Sequence, residues 1–156
     1  MGDASILIVH PDRKTQRTVQ RILGVTGHRV DIADDLDQGI RLMQHHAPVL
    51  VVVDSSAALS PHADAFFRAA ETHGTASIMT LIGPGAVDHV PKILGLGAVT
   101  NLLVHPMPVL AEELTVTAQK LIRKDLFGAE KYLMWGTELH EHPITRPVQR
   151  AHVIDR

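Results

Sequence analysis

A doubly wound α/β domain is what this chain predicts, and three observations predict it. Short, largely apolar runs, SILIV at 5–9, VLVVV at 49–53 and SIMTLI at 77–82, suit strands that are buried on both faces of a helix-covered parallel sheet. Between them lie stretches whose apolar residues recur at helical spacing. The connections are short, so successive strands are joined by right-handed crossovers.

The first run is β-branched and stops at His10-Pro11. Over 12–23, Val19, Ile22 and Leu23 recur at helical spacing among Arg, Lys and Gln, and Gly24 and Gly27 close the helix. Residues 28–33 (HRVDIA) alternate like a partly exposed strand, and Leu36, Ile40 and Met43 form one face of a helix over 35–44. The strand at 49–53 is the most apolar and ends at Asp54. A helix is expected over 63–72, ending near Gly74, then a strand at 77–82. A helix over 86–94 that contains Pro91, a strand over 99–104 and a last long helix over 110–123 complete the series. The βα unit therefore repeats five times, which gives a five-stranded parallel sheet of flavodoxin-like order with its chemistry beyond the carboxyl ends of the strands.

After Lys124 the character changes, so the expected organisation is a domain over 4–124 and a C-terminal extension or linker over 125–156. Phe127, Tyr132 and Trp135 crowd into nine residues. A short helix is expected there, with Leu126, Phe127, Ala129, Leu133 and Met134 as its apolar set, and an extended linker from Pro143 onward.

Composition bounds the function. At 156 residues the chain makes one ordinary domain with room for an appendage. The absence of cysteine excludes a disulfide framework, a thiolate metal site and a cysteine nucleophile, and fits a reducing cytoplasm. Fifteen Lys and Arg against seventeen Asp and Glu give −2, which offers no argument for nucleic acid or an acidic membrane surface as partner. No apolar run approaches the ~18 residues of a membrane span, and no signal peptide opens the chain. A soluble, cytoplasmic protein is expected. With only five aromatic residues, the core must be built from Val, Ile, Leu, Ala and Met. The eleven histidines read as scattered surface residues, although protonating half of them would move the net charge to roughly +3.

Three places carry candidate chemistry. Asp54 follows the central strand directly; His10 and Asp12 flank Pro11 after the first strand; His105 precedes Pro106 after the fifth. A carboxylate at the end of an all-apolar strand is costly to bury, so it belongs in a cleft where a ligand can reach it.

These residues resemble a family. ILIVHPD at the first strand, VVVD at the third, and Leu96-Gly97-Ala98 followed by LLVHP resemble the receiver domain of bacterial response regulators. The resemblance covers about Ser5 to Arg123 and implies a phosphorelay module. In that family the aspartate matching Asp54 accepts a phosphoryl group from a histidine kinase, and an acidic pair after the first strand holds Mg²⁺. A Thr or Ser ends the fourth strand, an aromatic switch residue lies on the fifth, and a Lys before proline ends it. Phosphoryl transfer of this kind works by positioning and charge neutralisation, with oxygen ligands on a hard cation.

The chain departs from that pattern almost everywhere except Asp54. The acidic pair falls on His10 and Pro11, leaving Asp12 one position late; the hydroxyl falls on Leu81, unless the register slips to Thr80; the aromatic falls on Leu102 and the Lys on His105. A neutral imidazole is a poor Mg²⁺ ligand and Pro has no side-chain oxygen, so at most weak Mg²⁺ binding by Asp12 and Asp54 is expected. The resulting expectation is a degenerate, non-enzymatic receiver acting through protein contacts with a kinase, an output domain or a second copy, without nucleic acid or membrane. Three alternatives remain. One is a working phospho-acceptor at Asp54 with atypical ligands. The second is a His10/Asp54/His105 site for a metal such as Zn²⁺. The third is a small-ligand binder, against which stands the lack of a Gly-rich phosphate loop after the first strand.

Overall fold

Seven strands share one sheet in the order β2-β1-β3-β4-β5-β6-β7. The computed structural model describes residues 5–74, 77–83, 86–89, 92, 102–106, 111–123, 130–135 and 138–143. In chain order the elements are β1 (Ser5–Val9), α1 (Arg13–Gly24), β2 (Arg29–Ala33), α2 (Leu36–His45), β3 (Pro48–Asp54), the 3-10 helix η1 (Ser55–Leu59), α3 (Ala63–Gly74), β4 (Ser77–Ile82), the 3-10 turn η2 (Val87–His89), β5 (Leu102–Pro106), α4 (Ala111–Arg123), β6 (Glu130–Trp135) and β7 (Glu138–Pro143). Strands β1 to β5 pair in parallel, as expected of a flavodoxin-like receiver fold.

The pleat explains why the strands are apolar throughout. Successive side chains alternate between faces. Leu7, Val9, Val51, Val53, Ile78 and Ile82 meet Leu36 and Met43 of α2 and Phe66, Phe67 and Ala70 of α3 on one face. Ile6, Ile8, Leu50, Val52, Met79 and Leu81 meet Val19 and Leu23 of α1 and Leu114, Ala118 and Leu121 of α4 on the other. With so few aromatics, one pair fills the first layer: the rings of Phe66 and Phe67 stack edge to face, 5.1 Å apart.

Local signals start and stop the helices. Asp12 caps α1 by accepting the Thr15 N–H, and Asp35 caps α2 by accepting the Gln38 N–H, while the Gln38 side chain returns a bond to the Asp34 N–H. Gly27 turns the chain out of α1 at φ +85°, a conformation that side chains with a Cβ rarely adopt. Among the described residues no helix is long and apolar enough to cross a membrane.

Two expectations need correction. Among the described residues the sheet has seven strands rather than five, and the helix expected over 125–134 is in part the strand β6. β6 pairs in parallel with β5, and β7 returns antiparallel to β6. The reason is the edge of β5, whose unpaired backbone groups outweigh the local helix preference of a run, Tyr132 to Trp135, that is also rich in strand formers. β5 starts later than expected and includes His105 and Pro106. Of the helix expected over 86–94, η2 and Lys92 are described, and the rest lies outside the described residues, as do the segments 124–129 and 144–156.

Gly39 shows how tightly α2 sits on this core. A Cβ there would lie 2.9 Å from the Phe66 ring and 3.0 Å from a methyl of Val9, both fully packed. Helix propensity favours Ala over Gly by about 1 kcal/mol, but overpacking a closed core costs about 1–3 kcal/mol. Gly39→Ala should therefore lower the urea midpoint. A midpoint that rises would show that this contact yields.

Candidate functional site

β1 and β3 are sheet neighbours although β2 lies between them in sequence, and a doubly wound sheet opens a crevice at such a reversal. His10 follows β1 and Asp54 ends β3, so the topology alone brings them together. His10 Nε2 lies 3.3 Å from Asp54 Oδ1. The Asp12 backbone N–H donates to His10 Nδ1 at 3.0 Å. A ring nitrogen that accepts carries no proton, which assigns the neutral Nε2–H tautomer and makes His10 a donor to Asp54. Further contacts hold the His10 backbone in place. The His10 N–H donates to the Ala33 carbonyl, and Gln16 Nε2 donates both to the His10 carbonyl and to Asp34 Oδ1.

The second oxygen of Asp54 is also taken. Oδ2 accepts the Ser56 N–H at 3.1 Å and the Ser56 hydroxyl. Burial pushes the Asp54 pKa up, but the bonds from His10 and Ser56 together outweigh it and hold the carboxyl down at about 2. Asp12 is occupied elsewhere. Its Oδ2 accepts both the N–H and the hydroxyl of Thr15, which hold its pKa below the ordinary value.

Leu81 pairs in register with Asp54 and is buried on the face packed by α1 and α4. The alternative hydroxyl does not share that face. Thr80 lies between Ile78 and Ile82, which pack toward α2 and α3, and its Oγ1 is buried without a hydrogen-bond partner among the described residues. Backbone register sets His105 opposite Leu81 and Leu102 opposite Ile78; the side chains of both lie outside what is described.

Among the described residues no group of three or more His, Asp or Glu is placed to hold a metal ion. The donor set does not fit Mg²⁺: His10 turns an N–H toward Asp54, Pro11 offers no side-chain oxygen, and Asp12 is committed to Thr15. Beside Asp54 opens a cavity of about 300 Å³ whose wall, among the described residues, holds Asp34, Asp35, Asp37 and Asp54 and neither Lys nor Arg. Among those residues His62 is the one imidazole, 3.7 Å from Asp37. Such a mouth repels an anionic group such as a phosphoryl donor.

Sequence reasoning finds Asp54 and His10 but not their bond, because the partner of a histidine is set by topology. It misses Ser56, although Asp-x-Ser is a turn signal in which the side chain bonds its own backbone two residues on. Gln16 carries no signal at all.

No protein-family model matches the chain. The response regulator MprA of Mycobacterium tuberculosis is 28% identical over 149 residues, covering 94% of this chain and 63% of MprA. The chain thus spans just under two thirds of the curated relatives it matches. A response regulator receiver domain protein from Clostridium thermocellum superposes with a TM-score of 0.62 at 19% identity, over 78% of this chain and 96% of that one. A CheY-like receiver from Methanospirillum hungatei gives 0.63 at 18% identity, over 78% and 94%.

Two outcomes follow from the geometry. A carboxyl held at about 2 rather than 3.8 corresponds to roughly 2 kcal/mol, trimmed by solvent screening to about 1–2 kcal/mol. This stability is in place above about pH 4 and is lost as pH falls through about 2. Urea unfolding should show Asp54→Asn weaker than wild type near neutral pH, with the gap closing in acid; a gap that stays constant contradicts the bonding described. Thr80→Val removes a buried hydroxyl that has no partner among the described residues and should be neutral or stabilising by about 1 kcal/mol. A clear loss of stability would mean that this hydroxyl is bonded.

Proposed function

We propose that this chain, a response regulator receiver domain by the likeness of its sequence and fold, is a pseudo-receiver: it signals through protein contacts and not through phosphorylation of Asp54. The observation that carries this reading is the state of the Asp54 carboxylate. One oxygen accepts from His10 and the other from Ser56, so the chain's own donors stand where a cation and a phosphoryl group would have to act.

The chemistry supports the reading at each step. A carboxylate with a pKa of about 2 is a weak nucleophile, and attack would require breaking its bond to the His10 N–H. The acidic wall of the neighbouring cavity opposes the approach of an anionic donor. Leu81 presents no hydroxyl beside Asp54 to follow a new group on the carboxylate. The partners of such a module are proteins, namely a histidine kinase, an output domain or a second copy, met in the cytoplasm without nucleic acid or membrane. No catalytic step of its own is assigned to the chain.

Intact-mass spectrometry after incubation with acetyl phosphate and Mg²⁺ tests this. The expected result is an unchanged mass, against full labelling of a receiver with a complete acidic pair as control. A phospho-adduct mapped to Asp54 overturns the reading in favour of a working acceptor with atypical ligands.

A further inference from the structure

The two residues after Asp54 point in different directions. Ser56 reaches back to the carboxylate, whereas Ser55 reaches across the fold: its Oγ lies 2.8 Å from Nδ1 of His89, at the end of η2. Ser55 is only 2% exposed, and its bond to the half-buried His89 is partly buried. Among the described residues, few other groups hold the segment it reaches. Ala86 N–H donates to the Gly83 carbonyl and His89 N–H to the Ala86 carbonyl, two successive turns. A three-residue 3-10 element has no stability of its own. Among the described residues two anchors fix it, namely Ala86 against the core layer beneath α2 and α3 and His89 on Ser55.

We propose that Ser55 and His89 are positioning residues that tie the η2 segment to the Asp54 turn and so hold residues 86–89 in one conformation relative to it. This rests on the pseudo-receiver reading. A domain that signals without modification needs a permanent mechanical link between its acceptor loop and its neighbouring surface, and Leu81 supplies no hydroxyl for one. Serine suits the role chemically. A hydroxyl both donates and accepts, so it can pair with either tautomer of the His89 ring. The placement also suits it, because Asp54, the Ser56 that bonds it and the Ser55 that crosses to η2 are three consecutive residues.

Amide hydrogen exchange on the full chain tests the link. A hydrogen bond of ordinary net strength corresponds to about five- to tenfold in a local opening equilibrium. Ser55→Ala and His89→Ala should each speed exchange over 86–89 by about that factor, leaving β1 and α2 unchanged. The double variant should be no faster than either single. Ser55→Thr, which keeps the hydroxyl, should behave as wild type, and with His89→Ala it keeps the test open should Ser55→Ala misfold. Unchanged exchange in both alanine variants, or factors that multiply in the double, overturns the proposal. Acetyl phosphate labelling separates this from the parent reading: a phospho-adduct on Asp54 alongside the expected exchange pattern leaves the link standing and removes the pseudo-receiver. An unlabelled chain with unaltered exchange does the reverse.

Discussion

A carboxylate at the mouth of an all-apolar strand must be solvated by something, and in this chain the solvating groups belong to the protein. β3 is buried along nearly its whole length, and Asp54 is its last residue. Leaving water raises the free energy of the charged form, and only hydrogen bonds to that form can reverse the effect. The His10 N–H and the two Ser56 donors reverse it so far that the carboxyl titrates at about 2. The rest of the local structure follows from that requirement. His10 must keep its proton on Nε2, so Nδ1 must accept, and the Asp12 N–H is there to donate to it. Asp12 in turn begins α1, which couples the tautomer of one ring to the start of a helix.

The sheet makes this arrangement rigid. Both faces are closed by separate apolar layers, so β1 and β3 cannot slide without moving α1 and α4 on one side and α2 and α3 on the other. Side chains at their carboxyl ends inherit that precision, which is why sites supported by packed strands hold geometry better than sites carried on loops alone. The cavity next to Asp54 lies where α2 begins, and its acidic wall comes largely from the residues that start that helix. Asp35 caps it and Asp34 takes the Gln16 bond. Charges that look like a binding surface are thus in part structural.

How far the sequence reveals this depends on the range of the interaction. Strands buried on both faces are legible as apolar runs, and β1, β3 and β4 fall within a residue or two of their expected places. Helices with one apolar face are legible for the same reason. The carboxyl-terminal strands are not, because Tyr132 to Trp135 satisfy a helical pattern and a strand pattern equally, and only the free edge of β5 decides between them. Asp54 and His10 are legible as residues at the ends of strands, whereas their bond and the Ser55–His89 link are not. These pairs are 44 and 34 residues apart, and no local periodicity encodes such a distance.

The added strands also change what the domain can offer a partner. β5 has β4 on one side and β6 on the other, so its backbone groups are already paired and strand addition there is closed. Among the described residues the sheet edges are β2 and β7. β2 carries an Arg29–Asp31 ion pair at 3.1 Å, and β7 reads Glu-Leu-His-Glu-His-Pro. Charged residues and a terminal proline are the usual means by which exposed edges avoid pairing with another chain. A partner kept from both edges in this way would have to meet the helix faces or the loops at the carboxyl ends of the strands. Those loops include the Asp54 turn and the η2 segment bonded to it, so the surface left for a partner is also the one whose conformation the internal hydrogen bonds control.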